Sequence, residues 1–303
     1  MIRTAAAVLA ACLMAPSVYA QADELQPVPE NTQATSDVDP ALWVLRDADT
    51  TIYLFGTVHV LRPGLGWFDD GVKAAFDASD TLVIEMLDPP PAEAIAIMAD
   101  LGIDKSGRTI RQKLKSEDLP IYEAAVQKLG LPHAALDPLD GWAVAVNLYY
   151  TGLLQQGYDP TSGVEIQLKA AAAASKKPVI GLETMRFQLS IFDALPDDVQ
   201  INYVVDTAKS MNEIAPQTDR LVALWAAADT DGVAAIMNEG FETLKLTESL
   251  LTRRNANWAH WIHQRMKKPG TLFVAVGAGH LAGTVSVQQL LAAYQLNVEP
   301  VAY

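Results

Sequence analysis

The sequence predicts an α/β fold in which a central sheet, built from two related βαβ-type halves, has a large helical part packed over it. Two apolar, strand-like runs predict the halves, because each ends in the same Gly-x-x-His pattern. Residues 51–55 run into this pattern at 56–59, and residues 272–276 run into it at 277–280. Glycine after a parallel strand permits a sharp turn or a close approach. Open α/β sheets bind ligands at these strand ends, so the sequence predicts a site there.

The first half reads as strand, helix and strand. Apolar runs at 42–46 and 51–55 flank the turn-forming residues 47–50 and predict a hairpin. Helical spacing follows over 69–78, and an apolar strand over 81–86 carries a glutamate near its end. This order is typical of a βαβ unit.

The second half places the same two residue types at its strand ends, in the reverse order. The first half places His59 and then Glu85 at strand ends, and the second places Glu183 and then His280. We expect all four side chains at one edge of one sheet. The remaining predicted elements are helical blocks over 92–174 and 185–266, strands over 178–183 and 272–276, a helix over 284–293 and a strand over 298–302.

Charge and composition exclude some partners. The chain of 303 residues has a formal net charge of −14 and no block rich in lysine and arginine. This excludes nucleic acid as a partner and disfavours an anionic membrane surface. No apolar run reaches the roughly 18 residues that span a bilayer, so no stable membrane insertion is expected.

The N-terminus predicts export. Residues 1–20 are typical of a signal peptide, with Arg3 in the positive region, an apolar run at 5–14 and small or apolar residues at 18–20 before cleavage. We therefore expect a periplasmic or secreted protein.

The mature chain is predicted to have a disordered linker at 21–40 and one domain at 41–303. The linker is polar and proline-containing, without apolar periodicity. Cys12 is the only cysteine, so the mature domain has no disulfide and no thiolate site. Residues 9–12 also fit the pattern before a lipidated cysteine, so a lipoprotein is the alternative.

The two histidines of the Gly-x-x-His patterns have three open roles. Imidazole serves as a neutral metal ligand or as a general base near neutral pH, and it is also a common structural hydrogen-bonding group. The glycines at 277 and 279 could in addition expose backbone N–H groups to an oxyanion.

Glu85 and Glu183 each end an apolar strand. A carboxylate is rarely buried unless it is paired or bound to a cation, since desolvation costs several kcal/mol. The alternative is a solvated strand end or an arginine partner. Arg254 and Asn255, in the second helical block, could pair with these carboxylates or bind a substrate carboxylate; a solvated helix end is equally open.

The other histidines point to structure. His260 and His263 lie three residues apart, which puts them on one helix face where they could share a metal. No His-Glu-x-x-His pattern accompanies them, and the aromatic residues around them favour a packing helix. His133, in a predicted turn, is expected to be structural.

Taken together, these patterns resemble the TraB/GumN family, to which the Tiki proteins also belong and which is related to erythromycin-esterase-like and haem-handling ChaN-like proteins. The resemblance extends from Trp43 to Val301. It rests on residues 54–59, 82–85, 163–165, 178–184 with Gln188, 254–255 with Trp258, and 276–281.

The resemblance implies a metallopeptidase-like site. Tiki members are metal-dependent proteases that favour manganese or cobalt, and one bacterial branch is associated with shutting off peptide pheromones. By this resemblance His59 and His280 would bind a divalent metal, manganese or cobalt before zinc, with help from Glu85 or Glu183. The other glutamate would activate water.

The function expected is thus an exported metal-dependent hydrolase, a peptidase in the first place, that acts on a peptide or small-molecule substrate. Arg254 and Asn255 would contact the substrate or support the ligands. The rival is a secreted protein that sequesters a peptide or a small ligand such as haem. Internal pairing of the polar groups would favour the rival. The sequence leaves the oligomeric state and the substrate open.

Overall fold

The computed structural model describes residues 36–244 and 247–303, with side chains omitted over 238–246. The predicted signal peptide and residues 21–35 of the predicted linker lie outside the described residues. Residues 36–40 are described, and strand β1 (Ser36–Asp37) pairs there with β4 (Leu65–Gly66). This short strand lies within the segment that the composition predicts to be a linker.

A six-stranded sheet forms the centre, as predicted, in the order β6-β5-β7-β3-β2-β8. The first four strands in this order are parallel, while β2 runs antiparallel to both β3 and β8. The strands are β2 (Leu42–Arg46), β3 (Thr50–Thr57), β5 (Thr81–Met86), β6 (Val179–Glu183), β7 (Gly270–Gly277) and β8 (Glu299–Pro300).

The two halves of the chain interleave in this sheet. Strand β7 of the second half lies between β3 and β5 of the first, and β5 lies between β7 and β6. All four parallel strands therefore present their carboxyl ends at one edge, where the sequence places its polar residues. The last strand is shorter than predicted, although beyond it the Val301 N–H still donates to the Leu42 carbonyl of β2 at 2.9 Å.

Side-chain alternation explains why the central strands are buried on both faces. On β7, Phe273 and Ala275 contribute to one apolar cluster, whereas Leu272, Val274 and Val276 contribute to another on the opposite face. A near-continuous apolar run is typical of a parallel strand covered on both sides.

Helices cover the two faces unequally. The second cluster is closed by α12 (Arg253–Arg265) and α13 (Val287–Leu291), which supply Trp258, Ile262 and Val287. The first is covered by the other helices, which are the large helical part that the sequence predicts. The helices are α1 (Asp70–Ala78), α2 (Pro91–Leu101), α3 (Ile110–Lys113), α4 (Leu119–Lys128), α5 (His133–Leu136), α6 (Gly141–Gln155), α7 (Val164–Ala174), α8 (Met185–Asp193), α9 (Asp197–Lys209), α10 (Ile214–Ala226), α11 (Thr230–Leu244), α12 (Arg253–Arg265) and α13 (Val287–Leu291).

Two features bear on the earlier expectations. The predicted helix 284–293 is split into α13 and a 3₁₀ turn at Ala292–Tyr294. Among the helices of the described residues, none has the length and apolar character needed to cross a membrane.

Candidate functional site

The four predicted residues meet at the carboxyl edge of the sheet. Glu85 and Glu183 lie on β5 and β6, and His59 and His280 follow β3 and β7. Gly277 lies among three of them: a Cβ atom at this position would be 3.1 Å from Glu85 Oε1, 3.6 Å from His59 Nε2 and 3.7 Å from His280 Cδ2. The convergence that the mirrored strand ends predict is therefore present in the structure.

Arg254, from the first turn of α12, lies at the centre of the cluster. Its Nε donates to Glu183 at 3.0 Å, and its Nη2 donates to Glu85 at 2.6 Å and to Glu183 at 2.8 Å. Its Nη1 donates to the Leu250 carbonyl at 3.2 Å and to His280 Nε2 at 3.1 Å. A guanidinium has five N–H donors, and these contacts engage all five. Of the three roles left open for Arg254, the geometry matches the pairing of buried carboxylates.

Two further donors complete the carboxylate pair. Gln188, on α8, donates from Nε2 to Glu85 at 3.2 Å and to Glu183 at 3.0 Å. The Gly277 N–H donates to Glu85 Oε1 at 2.7 Å, so this N–H serves a carboxylate and not an oxyanion. Burial acts to raise the pKa of Glu85, but the charge of Arg254, aided by His280, His59 and the Gly277 N–H, outweighs it and lowers the pKa to about 2.

His280 is held as a neutral ring. Because Arg254 can only donate, His280 Nε2 accepts, and the ring proton is on Nδ1. Nδ1 donates to Asn255 Oδ1 at 2.5 Å, and Asn255 Nδ2 donates to the Val285 carbonyl at 2.8 Å, which fixes the amide orientation. Burial, and then the neighbouring charge of Arg254, lowers the pKa of His280 to about 3. The ring packs on Trp258, with centroids 4.4 Å apart.

His59 has a carboxylate partner that the sequence reasoning did not include in the site. Its Nδ1 lies 3.0 Å from Oε1 of Glu165, in the first turn of α7. The Thr57 hydroxyl donates to the same oxygen. Gly163 permits this approach, because a Cβ there would lie 2.1 Å from the His59 carbonyl oxygen. The signal in the sequence that could have indicated this contact is the glycine that directly precedes a helix beginning with Val-Glu.

The polar cluster opens onto a cavity of about 60 Å³. Thr57, His59, Glu85, Arg254 and His280 line one end of this cavity. The rest of the lining consists of Val58, Val60, residues 277–279 and helical side chains, of which the large ones are Tyr149, Phe192, Leu221, Val233, Met237 and Leu250. The helical part thus covers the strand ends with an apolar wall.

The residues expected to bind a metal do not present a coordination set in this arrangement. Glu85, Glu183 and His280 each face an N–H group of Arg254, which lies where a cation shared by the two carboxylates would bind. Within residues 36–244 and 247–303, no group of three or more His, Cys, Asp or Glu side chains is placed to hold a metal ion. Metal dependence stays a prediction from the resemblance.

The remaining histidines lie away from the cavity lining. His260 and His263 flank Tyr294, with ring centroids 6.3 and 4.4 Å away, in a packing arrangement. His133 begins the short helix α5, and its ring lies 6.2 Å from that of Tyr122. These contacts match the packing roles expected from the sequence.

Comparison with known proteins gives relatives without assigned functions. The chain is 24% identical over 256 residues to an uncharacterized protein, YbaP, of Escherichia coli (strain K12), covering 83% of this chain and 92% of that one. It is 21% identical over 269 residues to an uncharacterized protein of Treponema pallidum (strain Nichols), covering 82% and 79%. No solved structure matches. The model of the TraB/PrgY/gumN family matches residues 41–300, and the chain belongs to this family.

Proposed function

We propose that this protein is an exported hydrolase that cleaves an amide bond of a peptide, with His59 as the general base that activates water. The observation that carries the proposal is the pair of His59 and Glu165, 3.0 Å apart at the polar end of a cavity. A histidine whose second ring nitrogen is fixed by a carboxylate is the arrangement by which enzymes orient a base.

The chemistry follows from the ring geometry. A carboxylate only accepts, so His59 Nδ1 carries the proton toward Glu165 and Nε2 is the basic atom. Nε2 lies on the side of Gly277 and Glu85. It would take a proton from water as the oxygen adds to the scissile carbonyl, and it would return that proton to the leaving amine.

The buried cluster supports this base in two ways. The positive charge of Arg254 faces both Glu85 and Glu183, so each carboxylate has the same cationic partner and the site keeps its shape. His280 stays neutral and, through Asn255, ties the loop after β7 to α12. We therefore assign Arg254 and Asn255 positioning roles in the proposed enzyme.

The first experiment tests both the base and the metal. The purified mature protein is incubated with a peptide library, after chelation and with manganese, cobalt or zinc added back, and products are read by mass spectrometry. His59→Ala is expected to lower kcat/KM by about 10²–10⁴-fold, the usual contribution of a general base. Glu165→Gln is expected to lower kcat while KM changes by less than about twofold, because the carboxylate acts through His59.

Two matched variants control for the substitutions themselves. His260→Ala removes an exposed histidine from α12, and Glu93→Gln neutralises an exposed glutamate on α2. Both are expected to retain wild-type activity. Equal cleavage by wild type and His59→Ala would refute the proposed base. Activity that disappears on chelation and returns with one metal would establish the metal implied by the resemblance and would require Arg254 to move.

The sequestering alternative also has specific support. Glu85, Glu183, Arg254 and His280 bond to one another, to Gln188 and to backbone, which is the internal pairing expected of a non-catalytic protein. If no peptide or ester is cleaved under any metal condition, and a peptide from the library binds without being consumed, this alternative replaces the enzyme.

Export has its own test. The proposal of a periplasmic or secreted protein rests on residues 1–20, which lie outside the described residues. Intact-mass measurement of protein from its native host is expected to show a chain that starts at Gln21. A chain that starts at a lipid-modified Cys12 would instead indicate a membrane-anchored lipoprotein.

A further inference from the structure

We infer that the cavity beside His59 binds an uncharged, apolar side chain of the substrate, of about the size of leucine or methionine, next to the bond that is cleaved. This inference rests on the proposed function, because it assigns the cavity to the substrate of that same site. Its evidence is separate, and consists of the chemistry of the wall, the state of the charges and the volume.

The wall offers no unsatisfied polar group to a ligand. Outside the polar cluster, Tyr149 and Thr218 are the polar side chains among the described residues that line the cavity. Their hydroxyls lie 2.9 Å apart, and Thr218 donates to the Ile214 carbonyl at 2.9 Å. The Tyr149 hydroxyl therefore donates to Thr218, and both hydroxyl protons are used within the protein. An apolar side chain that enters this cavity gives up no hydrogen bonds, whereas a polar side chain gives up its hydrogen bonds to water.

The charged end of the cavity repels anions and offers nothing to bind them. All five N–H donors of Arg254 are engaged by protein acceptors. Its charge is shared by Glu85 and Glu183, and Glu165 adds a further carboxylate beside His59. The described groups therefore carry more negative than positive charge, and a substrate carboxylate would meet repulsion without a cationic partner. This disfavours recognition of a peptide C-terminus and favours an internal bond.

The volume sets the size. A cavity of about 60 Å³ holds about four to six water-sized spheres, at 10–15 Å³ for each. The side chains of leucine and methionine have four heavy atoms and fit this space, whereas the indole of tryptophan exceeds it. Leu221, on α10 and 6% exposed, is a wall residue whose size can be changed without touching the polar cluster.

The test measures binding without turnover. The probes are N-acetyl amino-acid N-methylamides of leucine, alanine, tryptophan, aspartate and lysine, titrated into ¹⁵N-labelled full-length mature protein and followed by NMR. We expect the leucine probe to bind about tenfold or more tightly than the alanine probe, from the burial of its added carbons. The aspartate and tryptophan probes are expected to bind no better than alanine.

Variants locate the binding in the cavity. Leu221→Phe, which fills the space, is expected to weaken the leucine probe by about tenfold while the alanine probe is unchanged. Leu221→Ala is expected to admit the tryptophan probe. Leu154→Ala removes the same side chain from a site that is 37% exposed and outside the lining, and it is expected to change neither. Circular dichroism checks that each variant folds.

The outcomes separate this inference from the hydrolase proposal. Equal affinities for the leucine, aspartate and lysine probes would overturn it, as would the absence of binding or a leucine affinity that Leu221→Phe does not change. Selective leucine binding by a protein that cleaves nothing would retain this pocket and refute the hydrolase. Cleavage with no preference for apolar residues would retain the hydrolase and refute this pocket.

Discussion

The two Gly-x-x-His loops have the same pattern in the sequence but place their histidines in different surroundings. The His59 side chain is 21% exposed and has a carboxylate, Glu165, at its Nδ1. The His280 side chain is 2% exposed and has an amide, Asn255, at its Nδ1 and a guanidinium at its Nε2. Both rings line the cavity, but His59 is partly exposed with an anionic partner, whereas His280 is buried beside a cation.

This contrast shows that a strand-end pattern specifies position, whereas the partner side chain specifies chemistry. A carboxylate partner favours a histidine that accepts a proton, and a buried cation keeps a histidine neutral. The sequence pattern does not distinguish the two histidines, and the family resemblance implies that both are metal ligands. The structure assigns them different surroundings, and the following predictions test that difference.

The largest expected effect comes from removing the cation beside His280. Arg254→Met leaves the buried Glu85 and Glu183 without their charge partner, and it is expected to lower the free energy of unfolding by about 3–5 kcal/mol. The measurement is urea denaturation at neutral pH. Arg253→Met, at the next position, breaks an exposed pair with Glu248 and is expected to cost about 0–1 kcal/mol. Equal losses in the two variants would contradict the described network.

Acid is expected to destabilise the protein through both His280 and Glu85. The unfolded chain binds a proton at His280 below about pH 6.5, while the folded pKa is about 3, so this stability is lost as pH falls through that window. Glu85, with its pKa lowered from 4.5 to about 2, adds a loss between those values.

Between pH 6.5 and 5 the unfolding free energy should therefore fall by up to about 1.4 kcal/mol per unit through His280 alone. Denaturation at several pH values measures this slope. His280→Gln is expected to reduce the slope, and His260→Ala is expected to leave it unchanged. A wild-type slope that survives His280→Gln would show that other groups carry it.

Changing the partner should change the behaviour of His280. Asn255→Asp gives this ring the carboxylate that His59 already has, and a carboxylate within hydrogen-bond distance raises a histidine pKa by about 1–3 units. NMR titration of the ring is the measurement. Asn147→Asp is the matched control, because its amide also donates to a backbone carbonyl, that of Ala143 at 2.8 Å. No shift in His280 would show that the partner does not decide its protonation.

A smaller substitution can be made at Gly277, where the two loops meet. Gly277 has a φ of −49°, which alanine can adopt, but its Cβ would lie 3.1 Å from Glu85 Oε1. Gly277→Ala is expected to cost about 1–3 kcal/mol through overpacking and to lower activity by filling the space beside His59. Gly152→Ala, whose Cβ would meet the mobile end of Met211 at 3.1 Å, is the control. Full activity in Gly277→Ala would place the reacting atoms elsewhere.

The sequence predicts most of the fold and half of the site, and the division has a physical cause. Strand ends next to apolar runs are visible in the sequence, so His59, Glu85, Glu183 and His280 are found and their convergence is confirmed. Glu165 comes from a helix, where a glutamate in the first turn is ordinary on any surface.

The partner that a side chain pairs with cannot be predicted from apolar runs and strand ends. Arg254 was equally suited to a substrate carboxylate or to the buried glutamates, because its choice depends on how α12 packs against the ends of β5 and β6. The apolar wall of the cavity could not be predicted from the sequence either, because residues such as Leu221 have the same apolar periodicity as any helix packed in a core.

The bond between Arg254 and Glu85 joins residues 169 positions apart, and this distance has a consequence during synthesis. At about 5–20 residues per second, a ribosome needs roughly 10–30 seconds to make the residues that separate them. During that interval the carboxylate on the nascent β5 does not yet have Arg254 as its partner. Burial of this strand end before Arg254 is made is therefore unfavourable. The arginine then arrives with the last quarter of the chain, and the sheet edge can close only at that point. A chain that ends before Arg254 therefore lacks the cation that pairs with Glu85.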